Sequence, residues 1–189
     1  MKKWIGAVMI GVVGLGSAHL VLAKEATKAE KQAAIRKEAQ TTLTKLYKVK
    51  PGAKAMIQKA AGYAAFDNFG LHLFVLSTER GKGIAVANKG KKETFMKMLS
   101  VGAGLGLGAK DFRLVFVFET PQALESFVNS GWDADAHAEA IAKSSQKGGA
   151  YEGAVSVSPG VWVYQLTEKG LALEATLQGT KYSKYDELN

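Results

Sequence analysis

The residues between positions 133 and 139 are the densest set of potential catalytic or metal-binding side chains in the sequence. Asp133, Asp135, His137 and Glu139 occur at every second position. Carboxylates with one imidazole can bind a divalent cation, so a metal-dependent hydrolase is one hypothesis. The alternative, which we favour, is that Asp133 caps a helix whose first turn is acidic. We therefore predict no metal site and no cofactor.

Alternating glycines form a second motif with potential chemistry. The segment Gly104–Ala109 fits the relaxed dinucleotide-binding pattern G-x-G-x-x-A. That pattern requires a helix after the glycines, because the helix N-terminus holds the pyrophosphate. Here Phe112–Phe118 alternates as a strand does, and the glycines recur every second residue. We predict a strand whose glycine face lets another backbone, helix or ligand approach closely.

The sequence contains no recognisable nucleophile and base for covalent catalysis. There is no cysteine and no G-x-S-x-G motif, and after residue 23 the only histidines are His72 and His137. The absence of cysteine also excludes a disulfide scaffold and thiolate zinc sites. We predict that the protein is not an enzyme.

Basic residues are concentrated in one part of the chain. Residues 24–59 contain ten lysines and arginines against three glutamates, and no acidic residue occurs between Gln40 and Phe66. Segregated positive charge indicates an anionic partner, although a lysine-rich helix can also be simply solvated. The candidate lipid-binding residues are basic side chains of the acid-free segment and of a second basic segment. They are Lys45, Lys48, Lys50, Lys54, Lys59, Arg80, Lys82, Lys91 and Lys92.

The first 23 residues indicate which anion to expect. Lys2 and Lys3 precede an apolar stretch that ends in Val21-Leu22-Ala23, the pattern of a cleaved signal peptide. The alternative is an uncleaved membrane anchor, but four glycines make this stretch a poor transmembrane span. We expect a periplasmic or secreted protein, peripheral on a membrane, whose partner is anionic phospholipid and not nucleic acid.

The elements that position the lysines follow from periodicity. A helix is predicted over 25–47, with an apolar stripe at Ile35, Ala39, Leu43 and Leu46, and a short helix over 53–61 follows Pro51. On a bilayer, Ile35, Leu43, Leu46 and Met56 would face acyl chains and the lysines would face headgroups. The predicted strands are 63–66, 71–76, 83–87, 101–109, 112–118, 154–157, 161–166 and 171–177, with turns at 67–70 and 79–82 and a helix at 122–129.

These elements predict an α+β fold in which N-terminal helices precede a strongly curved, glycine-rich antiparallel sheet with one or two covering helices. The chain then divides into a signal peptide (1–23), a basic amphipathic helical segment (24–50) and a domain (51–189). An alternative function follows from the curvature. If Phe112, Leu114, Phe116 and Phe118 faced inward, the sheet could enclose a fatty acid or another apolar small molecule.

Three segments in order resemble a known family. They are Ala60–Phe66 (A-A-G-Y-A-A-F), the alternating glycines 102–108 followed by Asp111 and a hydrophobic strand, and Tyr164 followed by Gly170-Leu171 and Leu177-Gln178-Gly179. Together they resemble the SYLF domain, a lipid-binding module. The resemblance implies phospholipid or fatty-acid association through the basic N-terminal part, without enzymatic activity. Where eukaryotic members carry a tryptophan-proline motif, this chain has Gly90–Phe95, so phosphoinositide specificity and actin binding are not inferred.

Overall fold

The computed structural model describes residues 26–133, 152–167, 170–172 and 180–189, with the backbone alone for 68–80, 100–111 and 172. Helices α1 (Lys28–Val49) and α2 (Gly52–Lys59) come first, followed by two long strands, β1 (Gly62–Ala87) and β2 (Glu93–Phe118). The remaining elements are α3 (Pro121–Asn129), β3 (Trp132–Asp133), β4 (Val155–Ser158), β5 (Val161–Thr167), β6 (Gly170–Ala172), β7 (Thr180–Lys184) and a 3₁₀ helix (Asp186–Leu188).

Helix α1 begins at a capping box. The Thr27 side chain accepts a hydrogen bond from the Glu30 amide, and the Glu30 carboxylate accepts one from the Thr27 amide at 2.7 Å. The helix then runs for 22 residues through good helix formers. Helix α3 begins at Pro121 behind Thr120, whose hydroxyl accepts from the Ala123 amide. The three predicted helices are confirmed, with ends shifted by at most three residues.

Strands β1 and β2 form a single antiparallel pair along their whole lengths, from Gly62 opposite Phe118 to Val86 opposite Glu93. The turns predicted at 67–70 and 79–82 are therefore wrong. Polar residues and glycines suggested turns there, but the backbone continues the ladder through both segments, and Asp67 lies opposite Arg113 with an ion pair of 3.2 Å. The only irregularity in this pairing is between Phe74 and Leu76. The glycine run lies inside β2, as expected, so no helix follows it.

The other edge of β2 pairs with two different strands. Residues 96–100 pair with β7, and residues 113–118 pair with β5. Among the described residues this gives a seven-stranded sheet in which β2 is the shared strand. The long strands are strongly curled, because residues near the two ends of β1 come into contact with each other. The α+β fold, with N-terminal helices and a strongly curved antiparallel sheet, is confirmed.

The curl brings the two ends of β1 together. The Asn88 amide donates to the Ala61 carbonyl at 2.8 Å. Gly62 faces the carbonyl of Val86, and Gly83 faces the carbonyl and ring of Ala65 and Phe66, so closely that a Cβ at either glycine would collide with backbone. Glycine is therefore required where the strand meets itself.

The sheet buries a core on each face. One core lies under α1 and α2 and includes Leu46, Ile57 and Val115. The other lies under α3, and its centre is aromatic. Phe112, Leu114, Phe116 and Phe118 do share a face, as predicted, but they are buried against one another, α3 and Tyr182. The prediction of a phenylalanine-lined cavity is therefore wrong, because aromatic side chains fill the space that an acyl chain would need.

Candidate anion-binding surface

The corner between α1 and α2 carries the first group of predicted lysines. Lys45 and Lys48 lie on the last turns of α1, Lys54 lies on the first turn of α2, and all three are exposed. Between them Val49 is an apolar side chain with 46% of its surface exposed. We name Lys45, Lys48, Val49 and Lys54 the basic corner.

Lys50 lies at the same corner, but it forms an ion pair with Glu152. Its ammonium group contacts the Glu152 carboxylate at 2.6 Å, and only 22% of the Lys50 side chain is exposed. The hydrogen bond from Lys50 lowers the pKa of Glu152, and the lysine charge lowers it further. Lys50 is thus partly neutralised, and it contributes less to a surface potential than its neighbours do.

Asn88 connects α2 to the turn between β1 and β2. Its side-chain amide donates to the carbonyl of Ile57 at 2.6 Å and to that of Ala60 at 2.9 Å. This contact holds the C-terminal end of α2, with the exposed Lys59, beside the turn that presents the exposed Lys91 and Lys92. The two basic segments of the sequence therefore meet at this point. We name Lys59, Lys91 and Lys92 the turn cluster.

Two predicted residues are not part of this arrangement. Lys82 lies four residues before Val86, the last paired residue of β1, which is roughly 14 Å along the strand. It lines a cavity together with Lys97. The backbone of Arg80 is further along β1, opposite Leu99. The sequence therefore grouped residues that the sheet separates.

The apolar stripe of α1 does not face outward. Ile35, Ala39, Leu43 and Leu46 are each at most 6% exposed, and they pack on the sheet in the same core as Val115 and Tyr164. The expectation that Ile35, Leu43 and Leu46 face acyl chains is wrong, because the sheet already covers them. Met56 is half-buried, and its sulfur accepts a hydrogen bond from the Tyr164 hydroxyl at 3.8 Å. Only the lysine side of α1 faces solvent.

Acidic groups near the basic residues are engaged by other contacts. The Glu93 carboxylate accepts from Arg36 at 2.8 Å, and the Arg36 guanidinium lies 5.0 Å from the centre of the Phe95 ring. Glu30 lies at the opposite end of α1, where a hydrogen bond from the Thr27 backbone lowers the pKa of its carboxyl group. Burial raises the pKa of Tyr47 and of Tyr63, so both phenols stay neutral at physiological pH. Among the residues that the structure describes, the positive charge of the exposed lysines is therefore little compensated.

The alternative metal site cannot be assembled from the described residues. Asp133 contacts Lys181 at 3.1 Å, whereas Asp135, His137 and Glu139 lie outside the described ranges. Within those ranges no group of three potential metal ligands occurs. No helix in the described part of the chain is long and apolar enough to cross a bilayer.

Asn88 is the structural residue that sequence reasoning missed. An Asn-x-Gly sequence signals a turn, and Gly90 and Lys91 do have positive φ values of 76° and 52°. That signal does not reveal the partner of the asparagine side chain, because α2 lies 28 residues or more before it. The meeting of the two basic segments depends on this contact.

Comparisons with known proteins support a family assignment. Residues 99–189 match the model of the Ysc84 family, described as Las17-binding protein actin regulator. The chain is also similar to Beta cell expansion factor A of Aeromonas veronii, with 37% identity over 158 residues. That alignment covers 82% of this chain and 58% of the relative, so the chain spans little more than half of the relative's length. Two of the three segments that resemble the SYLF domain lie inside the matched range.

Proposed function

Because the chain belongs to the Ysc84 (SYLF) family through residues 99–189, we propose that it is a non-enzymatic protein that adsorbs to anionic phospholipid surfaces. The observation that supports the proposal is the pairing of two facts about α1 and α2. The apolar stripe of α1 and Ile57 of α2 are buried on the sheet, while the basic corner and the turn cluster are exposed and, among the described residues, little compensated by acids. The binding is therefore electrostatic adsorption, and no helix has to leave the core.

The energetics of such a surface are modest and salt-dependent. A lysine near an anionic bilayer contributes about 1 kcal/mol. Six exposed lysines, three in the basic corner and three in the turn cluster, therefore suffice for reversible binding, even if not all of them reach the surface at once. The attraction decays over about 8 Å at physiological ionic strength. Val49, at the tip of the basic corner, adds a small apolar contact at the depth of the headgroups.

Vesicle binding at two ionic strengths tests the proposal. We expect the protein to co-sediment with vesicles of phosphatidylglycerol and phosphatidylcholine in dilute buffer, and to bind much less as the salt concentration rises to 0.5 M. Vesicles of phosphatidylcholine alone are the control, and they should not bind the protein at either salt concentration. Equal binding to neutral and anionic vesicles, or no binding to either in dilute buffer, would exclude electrostatic adsorption.

We further propose that residues 1–23 direct export, so that the anionic surface is that of a periplasmic or extracellular membrane. The positive start, apolar stretch and Val21-Leu22-Ala23 end support this. When the full-length gene is expressed in a Gram-negative host, the protein released by osmotic shock should begin at Lys24 by N-terminal sequencing. A protein that keeps Met1 and stays with the cytosolic fraction contradicts export.

A further inference from the structure

Helix α2 keeps its place through few contacts. It has eight residues and begins behind Pro51 without a hydrogen bond from a capping side chain. A helix this short does not persist on its own in water, so its stability comes from packing. Within α2 only Ala53 and Ile57 are buried, and the Asn88 side chain binds carbonyls at its C-terminal end. Any further contact of α2 therefore has a large share in its stability.

Met56 makes such a contact through its sulfur. It follows Ala53 by three residues, so the two side chains lie on the same side of α2. The Met56 thioether accepts a hydrogen bond from the Tyr164 hydroxyl at 3.8 Å. Tyr164 is fully buried and belongs to the core that includes Leu46 and Ile57. The sulfur therefore lies where α2 meets this core, and its strength as an acceptor helps to hold the helix on the sheet.

Met56 is also the most accessible methionine in the part of the chain that the structure describes. Met96 and Met98 lie in the aromatic core and are 0% and 3% exposed. Met56 is half-buried and is a member of neither core. The described ranges contain these three methionines, and the sequence contains no cysteine. An oxidant that reaches the folded protein therefore meets one accessible sulfur in these ranges.

We infer that Met56 is a reversible oxidation site and that its sulfoxide loosens α2 from the sheet. Hydrogen peroxide is the oxidant. The sulfur gives an electron pair to one peroxide oxygen, the O–O bond breaks, and the other oxygen leaves as water after proton transfer. Each peroxide thus yields one sulfoxide and one water. A methionine sulfoxide reductase reverses the change, because two thiols become a disulfide while the sulfoxide oxygen leaves as water.

The added oxygen does not fit into the present contact. A hydrogen bond between two oxygens spans at least ~2.5 Å, which leaves about 1.3 Å of the 3.8 Å line between the Met56 sulfur and the Tyr164 oxygen. This remainder is shorter than a sulfur–oxygen bond. An oxygen on the other side of the sulfur avoids the clash, but it turns an apolar side chain into a polar one at the edge of the core. Both sulfoxide epimers therefore weaken the contact between α2 and Tyr164.

Loosening of α2 has a consequence for the charged surface. Lys54 and Lys59 lie on this helix and are exposed. The oxidation state of one sulfur therefore determines how firmly two lysines are positioned. This holds whatever anion the two lysines bind.

Peroxide treatment of the full chain, followed by peptide mass spectrometry, tests whether Met56 reacts selectively. Trypsin separates the three methionines, because Lys59 and Lys97 lie between them. In the folded protein, the Met56 peptide should gain one oxygen roughly tenfold faster than the peptides of Met96 and Met98. In urea that unfolds the protein, the three peptides should react at similar rates. Similar rates in the folded protein overturn the inference.

Hydrogen exchange measures the loosening. After oxidation, amide exchange within α2 should be about tenfold faster, the effect of losing one sulfur contact, while exchange within α1 stays the same. Reductase treatment should restore the slow rate. Met56→Leu keeps the volume but has no oxidisable sulfur, so peroxide should leave its α2 exchange unchanged. Met56→Gln should exchange rapidly in α2 without peroxide. Unchanged exchange in the oxidised protein, or the same acceleration in Met56→Leu, refutes the role of Met56.

Discussion

Replacing Lys45, Lys48 and Lys54 by glutamine is expected to lower the affinity for anionic vesicles by roughly a hundredfold in dilute buffer. The estimate follows from about 1 kcal/mol for each lysine at the surface and tenfold in affinity per 1.4 kcal/mol. All three side chains are exposed, and within the described ranges none forms an ion pair like that of Lys50 with Glu152. Glutamine is a good helix former, so α1 and α2 should persist. Vesicle titration followed by sedimentation measures the loss.

A control variant with the same change of net charge distinguishes a specific role of the basic corner from an effect of the protein's overall positive charge. Lys28, Lys181 and Lys184 lie away from the basic corner, on the first turn of α1 and on β7. Replacing all three by glutamine removes three charges and only exposed contacts, which contribute little to stability. The affinity of this control variant for anionic vesicles should fall less than threefold. If both triple variants lose the same affinity, the basic corner has no special role.

Deletion of α1 is not an informative test of membrane binding. The helix supplies Ile35, Leu43 and Leu46 to the core beneath it. Removing it would expose the sheet face and the partner residues of α2. A truncated protein that failed to bind vesicles would therefore report misfolding. Charge-neutralising substitutions leave that core intact.

The second large effect is expected at Phe116. Its fully buried ring lies within 5 Å of the centres of the Phe127 and Tyr182 rings and 5.9 Å from that of Phe66. Phe116→Ala should lower the free energy of unfolding by about 4 kcal/mol, because it removes edge-to-face contacts and leaves a cavity that neighbouring rings cannot fill. A domain of this size is stable by only about 5–15 kcal/mol. Urea unfolding followed by circular dichroism measures the change.

Val49→Ala is the control for this experiment. Val49 is 46% exposed and is not part of either buried core, so its truncation should change the free energy of unfolding by less than about 0.5 kcal/mol. Phe116→Leu, which keeps most of the volume, should fall between the two. A loss below about 1 kcal/mol for Phe116→Ala would mean that the aromatic core relaxes around the missing ring.

Local patterns predicted the helices and the placement of apolar residues well. The stripe at Ile35, Ala39, Leu43 and Leu46 is the buried side of α1, and the alternation from Phe112 to Phe118 identifies a strand with one aromatic face. These features depend on residues within one or two turns of each other. What covers each face was not predictable, because the sheet and the bilayer are equally apolar partners for α1.

Long-range pairing was the part that sequence patterns did not reveal. Strand β7 was not predicted, because Thr-Lys-Tyr-Ser-Lys has few apolar residues, and its place beside β2 is set by residues 96–100. The continuity of β1 was missed because Asp67-Asn68 and Gly81 are common in turns, whereas here β2 supplies a ladder partner for each of them. That Lys82 lies directly opposite Lys97 is visible only once the register is known.

The shared strand β2 also joins distant parts of the sequence. Ser100 pairs with Thr180, eighty residues further along the chain, and the Asn189 side chain hydrogen-bonds the backbone of Phe95 on both its N–H and its carbonyl. Contacts of such sequence separation are slow to form. The contacts of β2 with β7 and with Asn189 can therefore form only after the last ten residues of the chain have been synthesised.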